Sequence, residues 1–326
     1  FTRQYDPYTD RYGQPYISNN EFSTYNNTYI SETHNFTPHL VNEVRGAWSY
    51  SRRAYASTLN GDNVLQKIGL QGIPPQPGIA GFPEVDMSQG VQGFWASPQT
   101  VALGEYITLL DNVSWQKGKH FLKGGVLINY NKPHQTNSNG VQQFGDFSFN
   151  GFATGFSYAD FLLGIPNSAA LHLNPPNRYN RSTDTSLFLQ DSWQATPRLS
   201  VTMGLRWEYF MPPTELHDER ANFDPATAAV VLPNRGALKY LSPTLPVSLP
   251  IEISPPGFPG RSMLDGDKGN FGPRIGFAYQ LGDRSVIRGG WGIYYAELIN
   301  SVQDQLAGGG VFGTQINLYN SITNDV

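Results

Sequence analysis

The chain has 326 residues, no Cys, 15% charged residues and a formal net charge of −4. The lack of Cys excludes disulfides and thiolate metal sites, and the mildly acidic balance offers no basic surface for nucleic acid. No apolar run approaches the ~18 residues of a membrane-spanning helix, but that test is blind to a β-barrel, whose outward and inward residues alternate.

Residues 1–24, rich in Tyr, Asp, Asn and Pro, read as an irregular loop. The chain opens on Phe1 without a signal peptide, so it reads as an interior slice of something longer. A first hairpin spans about 25–55, turning at Thr37-Pro38-His39. On its return strand Leu40, Val44, Trp48 and Tyr50 share one face, and Glu43, Arg45, Ser49 and Ser51 the other. A period of two with one apolar and one polar face is the signature of a half-buried strand. A long connection, 56–105, follows.

The second hairpin, about 106–132, alternates through Ile107, Leu109, Val113 and Trp115 and turns at Lys117-Gly118-Lys119. Asp111 interrupts its apolar face, as Asp191 does in the third hairpin. Both precede a turn by a few residues, where a wetter interface lowers the cost of a carboxylate. Gly124-Gly125 and Gly289-Gly290 read as relief of curvature. The next connection, 133–181, holds GFSYADFLLGIP, a short helix stopped by Gly164 and Pro166.

The third hairpin, about 182–211, is the most regular. Leu199, Val201, Met203, Leu205, Trp207 and Tyr209 oppose Ser200, Thr202, Gly204, Arg206 and Glu208. A Pro-rich connection, 212–269, should hold no central strand. The fourth hairpin, about 270–296, sets Phe271, Ile275, Phe277 and Tyr279 against Asn270, Gly272, Arg274 and Gly276, with Arg288 on the same polar side. Residues 297–326 begin one more long loop.

The pattern is eight strands in four hairpins, with every connection short inside a hairpin and long between hairpins. That regular alternation predicts an all-β fold, an antiparallel transmembrane β-barrel with short periplasmic turns and long extracellular loops. Sandwiches and propellers have no reason for it. In lipid every backbone polar group must be paired internally. Arg45, Glu43, Arg206, Glu208, Arg274 and Arg288 then face the lumen, either as a self-satisfied charge network or as ligand contacts. Trp48, Trp115, Trp193, Trp207, Trp291 and Tyr295 lie near strand ends, as interface girdles would. Ordinary β-core packing is the alternative reading.

Residues for covalent chemistry do not assemble in the sequence. The six His show no metal spacing, and Asp265-Gly266-Asp267 reads as a plain turn. No nucleophile elbow, phosphate loop or dinucleotide fingerprint occurs. The expectation is a non-enzyme without cofactor or metal.

THNFTPHLVNEVRGAWSYSR, DNVSWQKGKHFLKGG, YADFLLGIP, SLFLQDSWQATPRLSVTMGLRWEYF and NFGPRIGFAYQL with RSVIRGGWGIYY resemble, in order, the Oar-like branch of TonB-dependent outer-membrane receptors. The resemblance implies a barrel of roughly 22 strands, an N-terminal plug that this sequence does not show, and the TonB-ExbB-ExbD complex as partner. It implies the bacterial outer membrane, with its lipid, as the location. It carries nothing about the ligand: a small molecule, peptide, protein or glycan.

Residues 1–326 thus read as one barrel segment. The leading function is TonB-coupled uptake, loops capturing ligand and lumen passing it. The alternatives are a non-transport barrel for adhesion or surface structure, and a secreted carbohydrate-binding β-protein. Trp95, Phe144, Phe147 and Phe149 are the candidate ligand contacts in the loops.

Overall fold

A computed structural model describes residues 2–8, 19–57, 61–74, 81–96, 100–136, 143–173, 177–243, 245–246, 248–296 and 311–320. Its main feature is one antiparallel meander of nine strands taken in chain order. They are β1 (Thr2–Tyr8), β2 (Asn19–Thr37), β3 (Leu40–Ser57), β4 (Thr100–Lys117), β5 (His120–Thr136), β6 (Arg178–Thr196), β7 (Leu199–Phe210), β8 (Asn270–Gln280) and β9 (Val286–Gly292). Strands of 17 to 19 residues (β2 to β6) far exceed the usual five or six. All four expected hairpins are present. A ninth strand, β1, pairs Thr2 through Tyr8 with Tyr25 back to Asn19, where an irregular loop was expected.

The tight turns recur in chemistry. Thr37 Oγ1 accepts the N–H of His39 at 3.2 Å, and Thr196 Oγ1 accepts that of Leu199 at 3.0 Å. Each is followed by a proline that presets φ, so T-P-x-L closes both turns the same way. A register shift sits just before each, at Asn35/Thr37 and Gln194/Thr196.

The two faces differ as the period of two requires. On β6 the residues Arg178, Asn180, Ser182, Asp184 and Ser186 are all buried, in strict alternation. Opposite them Leu187 and Leu189 are 48% and 63% exposed. Leu205 and Ile275 are 48% and 53% exposed on the same apolar side. Around β6 the sheet is therefore inside-out relative to a water-soluble one: its polar residues are buried and its apolar ones exposed. Its path ends on β1 and β9, and among the described residues it does not close on itself.

The long connections are not structureless. Segments from three of them join in a second sheet, in the order Thr314–Tyr319, Ser168–Leu173, Asp146–Phe149, Phe82–Met87, Phe94–Ala96. The expected helix forms at Ser157–Leu163 and stops at Gly164, whose φ of 68° is left-handed. Within 212–269 a third sheet pairs Asn222–Asp224, Ala229–Leu232 and Ile251–Ile253. Its centre is Ala229–Leu232, so a central strand does form there, in a stretch that holds no proline. The proline-rich part supplies only the edge strand Ile251–Ile253.

Candidate functional site

Register across the meander brings the polar residues of distant strands to common levels. One level runs Glu43, Asn112, Gly125, Phe188, Arg206 and Gly272. The next runs Arg45, Leu110, Leu127, Ser186, Glu208 and Asn270. Acid and base thus exchange places between the two ends. Arg45 Nε donates to Glu43 Oε1 at 2.9 Å, and Arg206 Nε donates to Glu208 Oε1 at 2.8 Å. The first pair is half-exposed on the arginine side and contributes roughly 0–1 kcal/mol. The second is more enclosed, with side chains 22% and 12% exposed. Between the pairs lies an apolar strip of Leu110, Leu127 and Phe188. A Cβ on Gly125 would lie 2.9 Å from Phe188 Cε1, so this glycine admits a ring rather than a bend.

Arg274 lies two levels below Glu208, across from Gly204 and Gly292, with its guanidinium 4.5 Å from the centre of the Tyr294 ring. Arg288 stands across from Ala278 on the same polar side. All six charged candidates share the polar face. None lies on the face of Leu205 and Ile275.

Some carboxylates do lie on the apolar face, Asp111 and Asp191 among them. Asp111 Oδ1 accepts from Asn42 Nδ2 at 2.6 Å, and Asp191 Oδ2 pairs with His120 Nδ1 at 2.7 Å. Asp111 sits midway between Ile107, which is level with Trp48, and Trp115. A wetter interface therefore does not explain it; a donor on the neighbouring strand does. The aromatic residues bracket this band. On one side Trp48 Nε1 and Lys132 Nζ both donate to Glu105, at 3.1 and 3.0 Å. On the other, Lys117 lies 4.8 Å above the Trp115 ring and His120 stacks on Trp193.

The loop candidates divide. Phe144 is fully buried and Phe149 nearly so, with Phe149 edge-on to Phe161 at 5.4 Å. Both belong to the interior of the loop sheet and present no ring face for stacking. Phe147 is half-buried, and the Trp95 side chain lies outside the described residues. In the same sheet burial, with Asp146 and Asp86 adding repulsion, pushes Glu84 up to about 7. The Thr154 hydroxyl and the backbone N–H groups of Thr154 and Ala153 hold the Asp160 carboxylate below its ordinary range.

A hub at the base of 212–269 was invisible in the sequence. Buried Glu215 accepts the N–H groups of Tyr179, His217 and Glu219 at 3.1, 2.6 and 3.0 Å. Arg220 donates to the Pro213 carbonyl and to Asn180 Oδ1. No local spacing marks such a hub in full, because two of its partners, Tyr179 and Asn180, come from β6. Asp267 Oδ1 accepts the Gly269 N–H at 2.7 Å, an Asx-type bend just before β8. Among the described residues no group of three His, Asp or Glu side chains is placed to hold a metal.

Residues 2–326 match the family model described as outer membrane beta barrel domain. The chain belongs to that family. The outer-membrane barrel domain is thus all-β and mostly antiparallel. No curated protein matches it. Among solved structures it is similar to the ferric-catecholate import receptor Fiu from E. coli K12 in a closed form, at 11% identity and a TM-score of 0.39. The match covers 84% of this chain and 33% of that one, so the chain spans about a third of Fiu's length.

Proposed function

We propose that the chain forms part of the wall of an outer-membrane receptor that takes up a ligand by TonB-coupled transport, the folded loops capturing it and the lumen passing it. The observation that carries this reading is the pair of charged levels, Glu43 to Arg206 and Arg45 to Glu208, on the polar face. A barrel used only as an anchor has no need of alternating charges separated by an apolar strip. The levels are suited to holding a polar body inside, whether an inner domain or a ligand. No covalent step is assigned, and the partner complex would be TonB with ExbB and ExbD.

The loop sheet built from three separate connections favours a second reading, a surface barrel for adhesion. The secreted carbohydrate-binding reading falls, since the family places the chain in the outer membrane and Phe144 and Phe149 offer no platform.

Deleting the gene and profiling what cells remove from the medium separates the two that remain. Uptake predicts that one compound stays in the medium, and that removing TonB alone has the same effect. An unchanged profile with lost surface attachment contradicts it.

A further inference from the structure

The apolar face is notched along β5. A groove of about 450 Å³ lies there, walled by Val113 and Trp115 on one side and Leu189 on the other, with Leu122 and Val126 at its ends. Its floor is Gly124, which register sets between Val113 and Leu189. Val113 and Leu189 are 42% and 63% exposed, so both walls stand open. A Cβ on Gly124 would lie 3.3 Å from the Phe188 carbonyl oxygen and 3.4 Å from Leu189 Cδ1, so a larger residue there would begin to fill the slot. Gly125 gives its space to the Phe188 ring on the polar face, and Gly124 opens the apolar one. From Leu122 to Val126 the strand advances about 13 Å. The volume falls in the usual range of ligand sites, roughly 300–1,000 Å³.

The chemistry changes at the tight-turn end. Among the described residues of the lining Asp111 is the one charged group, and Asn42 donates to its Oδ1 at 2.6 Å from β3, the strand on the side away from Gly124. Beyond Trp115 stands Lys117, its Nζ 4.8 Å from the centre of the Trp115 ring. That contact leaves the positive charge unneutralised and holds it at the turn end of the slot. Lys119 follows in the turn, exposed, and among the described residues neither lysine has a carboxylate partner. The nearby Asp191 is taken by His120 at 2.7 Å. An apolar slot with a cationic end is complementary to a hydrocarbon chain that carries an anion, and basic residues at a bilayer surface attract anionic headgroups.

We infer that the groove is a site for one phospholipid of the surrounding membrane, an acyl chain lying along Gly124 and the phosphate meeting Lys117 and Lys119. The family is an outer-membrane one, so hydrocarbon is the medium at hand. A flat strand face also touches acyl chains, but they slide past it. A floor without a side chain lets one chain sink between two walls and gain dispersion contacts on three sides. The inference needs the apolar face to meet lipid and needs nothing of transport, so it goes beyond the receptor reading.

The test uses the complete protein folded in detergent, titrated with dioleoyl phosphatidylglycerol and followed by native mass spectrometry. One lipid binds ahead of the rest, and dioleoylglycerol, with the same chains and no phosphate, binds more weakly. Lys117→Gln and Lys119→Gln each weaken the first binding about fivefold, the worth of one basic residue at a membrane surface. Arg198→Gln, in the turn before β7, leaves it unchanged. Gly124→Leu keeps every charge, fills the slot and weakens binding on the order of tenfold through lost dispersion contacts. Gly124→Ala, which needs only a small shift of Leu189, weakens it less and serves where leucine prevents folding. The absence of a preferred lipid overturns the site, as does equal binding by the unaltered protein and both Gly124 variants. Loss of a dimer instead of a lipid in Gly124→Leu gives the groove to a second copy and overturns it too. Preferred binding in a protein whose loss changes no uptake keeps the site and removes the receptor reading.

Discussion

The meander and the loop sheets bury opposite kinds of residue. In the meander Leu189 is 63% exposed while Ser186 is 6% exposed. In the sheet of 212–269 Leu232 and Val231 are fully buried, and Ala221, Val230, Ala237 and Phe312 pack around Leu232. One chain thus solves the same burial problem twice with opposite sign. The lesson is that the surrounding medium decides which face of a strand is the inside. A β-strand's alternation gives two faces; only its solvent says which is free.

The largest predicted effect falls on the conventional core. Leu232→Ala should cost about 2–5 kcal/mol through lost contacts and a cavity. The damage stays local: protease cuts within 212–269 while the meander remains folded, seen as unchanged heat-modifiable gel mobility. Leu205→Arg tests the other side and should cost about 2–4 kcal/mol at mid-band, read as lost folding into liposomes. The same change at Thr202, one strand position of opposite parity, should be tolerated. If Leu205→Arg folds as well as Thr202→Arg, the two regions do not differ as described.

Removing one partner of the enclosed pair is smaller. Arg206→Leu leaves Glu208 facing Ser186 and Asn270 without its cation and should cost about 1–3 kcal/mol. Replacing Arg45, whose side chain is 52% exposed, should cost less than about 1 kcal/mol. Denaturant titration of the two variants checks the order.

The smallest effect is a pH dependence confined to the loops. Glu84 rises from 4.5 to about 7, chiefly by burial. A raised carboxyl pKa means that the folded sheet prefers the protonated form. Its stability is then greatest below about 4.5 and falls as pH rises through about 7, the reverse of an ion-paired acid. Hydrogen-exchange protection in Phe82–Met87, taken relative to the intrinsic rate at each pH, should be lower at pH 8 than at pH 5, and Glu84→Gln should flatten the difference, with no matching change of protection in β6 or β7.

The same contrast explains what could be read from the sequence. The meander was legible because its signals are local: Leu199 to Tyr209 alternate without a break, and T-P-x-L marks two turns. The charged residues could be assigned to a face by parity alone. Their levels could not, since placing Glu43 on the level of Arg206, across three intervening strands, requires the register of five strands. Asp111 and Asp191 looked anomalous for the same reason, because Asn42 and His120 lie 69 and 71 residues away. The strand β1 has no clear signal in the sequence because TRQYDPY alternates weakly. The loop sheet was illegible in principle. Its strands have three to six residues and pair Glu84 with Asp146 and Ser168 with Tyr319, contacts that no local pattern encodes. Phe144 and Phe149 read as surface residues in the sequence because no local pattern encodes the sheet that buries them.

The central claim, that the apolar face of the meander looks at lipid and the polar face at an enclosed lumen, has a direct test because the chain has no Cys. Single cysteines placed in turn at each position from 200 to 208, spin-labelled and reconstituted in bilayers, report collisions with oxygen and with a water-soluble nickel chelate. Oxygen access should peak at Val201, Met203, Leu205 and Trp207, and nickel access at Ser200, Thr202, Gly204, Arg206 and Glu208, in strict antiphase. A profile without a period of two, or one with the two reagents exchanged, would contradict the claim.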